Sequence, residues 1–235
     1  MSAKTFDLPV AVTLRLQSRS GRVDVIAEPR DDVEAEGDKI ESLVEDSGAT
    51  LRIRNGSGTK GFTVRCPIGS DVTVGTQSGA VRMAGAFGSV SVTTMSGSIE
   101  VERADEADLR TVTSTVSLGS CAGRCRISST SGRVVAGDVG AASAGTMSGS
   151  ITIGHVAGRF KAKSVSGSIR AGCGGEGAVA IKTVSGAVHI ELPRGIEPHM
   201  RARSLSGRIR CDLAEGDDML IEAMSVSGSI EVVPA

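Results

Sequence analysis

Hydroxyl side chains recur in this chain at a spacing that invites a catalytic reading. A Ser or Thr stands one residue before, and another three residues before, each of nine marker residues: Gly79, Gly97, Ser114, Gly132, Gly149, Gly167, Gly186, Gly207 and Gly228. A nucleophilic serine needs a partner base, and so must differ from its copies. None of these does, so the hydroxyls are expected to bond the backbone of their own turn or of a stacked neighbour. The run GCGGEG at Gly172–Gly177 spells a dinucleotide fingerprint. That chemistry requires a following helix whose N-terminus faces the pyrophosphate, and AVAIKTVSGAV follows instead, patterned as a strand. NGSGTKG at Asn55–Gly61 has the wrong Gly–Lys spacing for a phosphate loop and reads as a hairpin tip. Cys121 and Cys125 lack the second pair of a zinc site and occupy places held elsewhere by Val or Phe, as buried thiols would. His155, His189 and His199 fall at three different places in the repeat, where they cannot converge on a metal. The period is not the six of solenoid acyltransferases, and no carboxylate cluster with aromatic platforms marks a sugar-cleaving wall. The residues thus point to no catalytic group, no metal, no cofactor and no small-molecule substrate.

What would position these residues is the repeat itself. The markers are separated by 18, 17, 18, 17, 18, 19, 21 and 21 residues, and a fixed period of this kind is read before any local element. Two residues after each marker the side chain is always β-branched, from Val81 and Ile99 to Ile209 and Ile230. Four residues after, it is always apolar, as in Met83, Ile153 and Val232. Apolar residues also stand seven and five before the marker, as in Val72 and Val74. Period-two alternation on both sides of a turn predicts two short strands per unit, each with one face inward. Glycine at the turn is expected because it tolerates a left-handed backbone. Such units stacked on their own copies give an all-β fold, a single parallel β-solenoid of coils of about 17–21 residues. The crossover rule favours the right-handed form.

Residues 71–235 hold the regular coils. Residues 1–70 read as an irregular β section covering one end, since terminal repeats need an atypical cap. Within it LRLQSRSGRVDV matches one full coil, with Leu14, Leu16, Val23 and Val25 inward. DDVEAEGDKIESLVED is acidic, and its Ile40, Leu43 and Val44 suit a short helix or a strand equally. The other end looks uncovered, because the chain stops at SIEVVPA within a coil, with Pro234 as the guard. The start, MSAKTFDLPVAV, lacks the apolar core of a secretory signal. No apolar run approaches the ~20 residues of a membrane helix, and five cysteines form no paired framework. A cytoplasmic setting with reduced thiols is the expectation.

The stretch VRCPIGSDVTVGTQSGAV, followed by serial T-x-S-G-x-V/I-x-V units, resembles the bacterial putative-adhesin family of β-strand-repeat proteins of unknown function, and the resemblance covers roughly Leu14 to Val232. That resemblance implies a β-solenoid without catalytic residues, and some members are linked to envelope-stress systems. Bactofilins, which polymerise end to end, are similar in shape only.

Charge points to surfaces. The net charge is −1, but residues 31–50 carry eight acids against one Lys, and residues 159–210 carry ten bases against three Glu. Lys161, Lys163, Lys182, Arg201 and Arg203 share outward slots, together with Arg110 and Arg126, and would form a stripe along one face. Such a stripe either keeps the sheet solvated or meets an anionic partner, a membrane surface or an acidic protein face. Nucleic acid fits poorly, because no aromatic residues interleave for stacking. Two residues before the marker stand Met95, Val112, Met147, Val165, Val184, Leu205 and Val226. They are core if the corner turns them inward, the favoured reading, and an apolar ridge of the kind that marks an interaction site if it turns them outward. The expected function is a non-catalytic scaffold or interaction protein, binding a partner surface or itself in an envelope-associated process. Self-association is expected at the edge of the last coil, Val226, Ile230 and Val232, giving a dimer or modest oligomer. A bactofilin-like filament and an enzyme on the solenoid wall are the alternatives.

Overall fold

The computed structural model describes residues 2–7, 12–38, 40–45, 50–55 and 61–235. Every regular element among them is a β-strand. The alternation around each marker becomes a coil with two walls, a first wall from the strand before the marker and a second wall from the strand after it. Like strands pair in parallel and in register, so that identical slots stack about 4.8 Å apart. Two compact units divide the chain, Met1–Ser120 and Cys121–Ala235.

In the first unit the earliest coil is not outermost. On the first wall, β2 (Thr13–Ser18) lies between β6 (Thr50–Asn55) and β8 (Asp71–Thr76), parallel to both. On the second wall, β3 (Arg22–Glu28) lies between β7 (Gly61–Pro67) and β9 (Val81–Thr94). The coil read from LRLQSRSGRVDV is therefore an inner layer, and Leu14, Leu16, Val23 and Val25 are fully buried. The stack continues through β9 into β10 (Ile99–Thr111), which follow both walls without a break. Beyond the outer coil come antiparallel strands: β5 (Ile40–Glu45) on β6, β4 (Asp32–Gly37) on β7, and β1 (Ser2–Asp7) on β4. The acidic segment is thus strand, not helix. Lys4 Nζ, from β1, donates to the Ile40 carbonyl and the Ser42 hydroxyl of β5, both at 3.4 Å, and so ties the two covering strands together.

The chain passes into the second unit within β11 (Val116–Ser131). There β12 (Val134–Ser148) supplies both walls. The second wall runs from β12 to β13 (Ile151–Val156), β15 (Ile169–Cys173) and β17 (Val188–Leu192). The first wall runs from β12 to β14 (Phe160–Ser166) and β16 (Ala178–Ser185). Then the order changes. β16 pairs with β20 (Met219–Ser225), and β17 with β21 (Ile230–Pro234). The intervening coil, β18 (Pro198–Ser204) and β19 (Ile209–Cys211), stacks on the far side of β20 and β21. The last coil in sequence is the penultimate layer in space. Its inward set, Ile221, Ala223, Ile230 and Val232, is buried completely. The coil left outside offers the weaker set Met200, Ala202, Ile209 and Cys211. The two longest spacings, 21 residues each, flank this coil. Two to four extra residues add roughly 7–13 Å of reach at about 3.3 Å each, enough to step over one layer and back.

The marker glycine is required by a close approach more than by a left-handed backbone. A Cβ on Gly97 would collide with the Gly79 carbonyl, on Gly167 with that of Gly149, and on Gly186 with that of Gly167. The same test gives the swapped order independently: a Cβ on Gly228 meets the Gly186 carbonyl, and one on Gly207 meets that of Gly228. Each of these marker Cα atoms thus rests on the carbonyl of a neighbouring layer.

We expect Gly167→Ala to destabilise the second unit by about 1–3 kcal/mol or more, since backbone must shift to admit the methyl group. Gly145→Ala, where nothing lies within 4 Å of the new Cβ, should stay within about 0.5 kcal/mol. Urea unfolding of the two variants measures the contrast. Ile169 is fully buried between Ile151 and Val188, so Ile169→Asp places a carboxylate in the stacked interior and should abolish cooperative folding of this unit. Thr152→Asp, on the outward face, should melt like the unsubstituted protein; equal losses from both would contradict the register.

Candidate binding surface

The candidate catalytic and metal-binding residues are placed far from one another or within the core. Cys66, Cys121, Cys125 and Cys173 are buried. Burial pushes the Cys173 thiol up to about 12, and pushes Cys66 up to about 11 against the opposing hydrogen bond with Ser70. Thiols held so far from ionisation are poor nucleophiles at neutral pH. Among the described residues no three His, Cys, Asp or Glu side chains are grouped to hold a metal ion. His189 instead sits in an outward ladder, with Nδ1 3.1 Å from Glu231 and Nε2 3.0 Å from Glu191. After GCGGEG the chain enters β16, so no helix N-terminus is present to meet a pyrophosphate. Residues 56–60 of the NGSGTKG tip lie outside the described residues.

The repeated hydroxyls follow two patterns rather than one. At Gly79, Gly97, Gly207 and Gly228 the marker N–H donates to the hydroxyl three residues earlier, at 2.8–3.1 Å. At Gly149 and Gly167 that N–H donates instead to a carbonyl in the next coil, Ser166 at 3.2 Å and Ser185 at 3.1 Å. The hydroxyls of Thr111, Ser129, Thr146, Ser164 and Thr183 are buried with no hydrogen-bond partner. The expectation of a satisfied corner in every coil is therefore met only in part. The coil-to-coil bond displaces the local one.

The basic stripe divides into two groups. Lys161 and Lys163 lie on β14 and Lys182 on β16, all exposed, with Lys163 directly beside Lys182. Arg201 and Arg203 lie on β18, where the inserted β20 separates them from Lys182 by Glu222 and Met224. A shallow depression of about 260 Å³ runs between Lys182, Met224 and Arg203. Arg110, by contrast, is held by its own neighbour Asp108 at 2.7 Å.

The apolar residues two before the marker are not core. Met147 is 59% exposed, Leu205 87%, and Val165, Val184 and Val226 about half. The residues seven, five and three before the marker are buried in the inner layers, so alternation sends the one two before it to solvent, and the Ser that follows is exposed as well. In the second unit these five occupy consecutive layers, in the order Met147, Val165, Val184, Val226 and Leu205. They form a row roughly 19 Å long at ~4.8 Å per layer, next to the slots of Lys163, Lys182, Met224 and Arg203. Met224, itself 46% exposed, widens the row. Of the two readings of this slot, core or exposed ridge, the ridge is the one observed; the signal was the strand's own alternation, which puts the residue after a buried hydroxyl on the outward face.

The proposed self-association edge is also displaced. Ile230 and Val232 stand on β21, which is paired on both sides by β17 and β19, so they present no edge. Val226 belongs to the exposed row instead. The outward edge of the second unit is that of β18 and β19; among the described residues no strand pairs with their outer side.

A crystal structure of a putative adhesin from Bacteroides fragilis is similar over 100% of this chain and 96% of that chain, at 10% identity and a TM-score of 0.49. One of a putative adhesin from Parabacteroides distasonis is similar over 98% of this chain and 96% of that one, at 12% identity and a TM-score of 0.47. A putative cell adhesion protein from Clostridium sporogenes gives 11% identity, 100% and 99% coverage, and a TM-score of 0.26. No curated protein matches the chain. The family model described as Toastrack DUF4097 matches residues 27–233, which take in all nine regular markers. The chain belongs to the Toastrack DUF4097 family.

Proposed function

We propose that this protein is a non-catalytic binding scaffold whose second unit presents an apolar row with a basic flank to an anionic partner surface. One observation carries the reading: five exposed apolar side chains in consecutive layers run beside Lys163 and Lys182. A contiguous exposed apolar strip commonly marks an interaction site, and lysines beside it select a partner that is anionic as well as apolar. A bilayer carrying anionic headgroups supplies both, and an envelope-associated process is the setting that this chemistry implies. No helix among the described residues is long and apolar enough to cross a membrane, so contact by this surface would be peripheral. Self-association is subordinate here, because two identical β18 edges would set arginines against arginines.

Co-sedimentation with phosphatidylglycerol vesicles, phosphatidylcholine vesicles and poly-glutamate beads tests the reading. Binding to the anionic vesicles should weaken steeply with salt. Each base near such a surface is worth about 1 kcal/mol, so Lys161→Glu, Lys163→Glu and Lys182→Glu together should lower affinity roughly a hundredfold or more. Retention on poly-glutamate alone would assign the surface to an acidic protein. Absence of binding to either anionic partner, or binding indifferent to the three reversals, would contradict the proposal.

A further inference from the structure

The outermost coils of the two units carry one motif. In the first unit β6 reads Leu51-Arg52-Ile53-Arg54, and β7 reads Val64-Arg65-Cys66. In the second unit β18 reads Met200-Arg201-Ala202-Arg203, and β19 reads Ile209-Arg210-Cys211. In both, apolar residues take the inward slots and arginines the outward ones.

The first unit shows what covers such an edge. Two antiparallel strands lie on it, β4 with apolar and acidic residues in alternation and β5, IESLVE, with the alternation interrupted at Ser42 and Leu43. On β6, the strand β5 sets Val44 opposite Leu51 and Glu41 opposite Arg54. On β7, the strand β4 sets Ala35 opposite Val64 and Glu34 opposite Arg65. Arg65 Nη1 lies 3.6 Å from Glu34 and 3.9 Å from Glu36. With that cover in place Leu51, Ile53, Val64 and Cys66 are fully buried.

The second unit has the same edge without the cover. Met200 and Ala202 are half-buried, Ile209 is 42% exposed and Cys211 is exposed. With Pro198, Leu213 and Glu215 they line an open cavity of about 300 Å³. Residues 198–211 contain four arginines and no acid. Arg210 is already held by Asp212 at 2.8 Å and Arg208 lies between the two strands, so Arg201 and Arg203, the arginines of β18 itself, are the charges that select an incoming strand.

We propose that the outer edge of β18 and β19 docks an extended segment of another protein in which apolar and acidic residues alternate. Its main chain would pair with the outward N–H and C=O groups of β18, as in strand addition. Its apolar side chains would close the cavity, and its carboxylates would face Arg201 and Arg203. A second copy offers a poorer match through this edge, since like charges would meet directly.

The probe is a fluorescein-labelled peptide of residues 32–45, DVEAEGDKIESLVE, titrated with the full-length protein and followed by anisotropy. Saturable binding is expected, weakened at least tenfold by Arg201→Glu with Arg203→Glu, and equally by a peptide whose acids are replaced by amides. Exchange of the peptide for the protein's own β4 and β5 would be indifferent to those two arginines, and that outcome would overturn the proposal. Ile209→Lys, which fills the cavity with charge without altering β18, should also weaken binding, and circular dichroism melts confirm that each variant is folded. No saturable binding, or self-association strengthened by the two charge reversals, would likewise overturn the proposal. The lysine face tested with vesicles involves none of these variants, so either result stands apart from the other.

Discussion

The contact on which this structure depends is small: a glycine Cα resting on the carbonyl of the glycine one layer below. Parallel strands set a layer spacing of about 4.8 Å, and at the corners there is no room within it for a side chain. Every marker glycine tested in the second unit meets backbone of its neighbour if given a Cβ. The hydroxyls beside it are secondary. They take the marker N–H where the turn is local, and lose it where the next coil's carbonyl offers a better-placed acceptor. Strand walls, inward slots and outward rows all inherit their register from this column.

A column of identical contacts does not say which coil lies on which. Any coil can accept any other, so the order is decided by burial at the ends and by the lengths of the links. In each unit the coil nearest the end of the chain is an inner layer, and its sequence neighbour takes the outside. That coil is thereby held on two sides rather than one. At the first unit's outer coil, acidic strands complete the job, with Arg30 bound by Asp32 at 2.7 Å and Glu28 at 3.0 Å beside the turn into β4. The Asp32 hydrogen bond raises the Arg30 guanidinium above its ordinary value and lowers Asp32, the signs expected of a pair that holds this turn ionised.

The repeat made most of this fold legible. Period-two alternation named the inward residues of both walls, including those of the irregular coil around Gly21, and the −7 and +2 slots are buried in every inner layer. Alternation carried one slot further also turns the residue two before the marker outward, as Met147 and Val165 show. What stayed hidden depended on three-dimensional choices that alternation does not encode. The interruption of the stripe by Glu222 and Met224 follows from layer order, and only the 21-residue spacings hinted at it. The glycine was read for its backbone freedom, yet at Gly97 and Gly167 its lack of a side chain is what counts. The shared L-R-I-R and M-R-A-R edges were present as letters, but their meaning needed the acidic cover seen in one unit and not the other.

Under the proposed function, the working chemistry lies in surfaces built by stacking. Rows of like side chains, basic or apolar, come from repeating one slot, and their continuity depends on the order of the layers. That order can be read by disulfide trapping in a Cys211→Ser background. A bridge needs Cα atoms within about 4.4–6.8 Å, which is one layer but not two. The account predicts that Lys182→Cys with Met224→Cys cross-links readily under mild oxidation, while Lys182→Cys with Arg203→Cys does not. Ready cross-linking of the second pair and not the first would mean that the coils stack in sequence order, and would contradict the account.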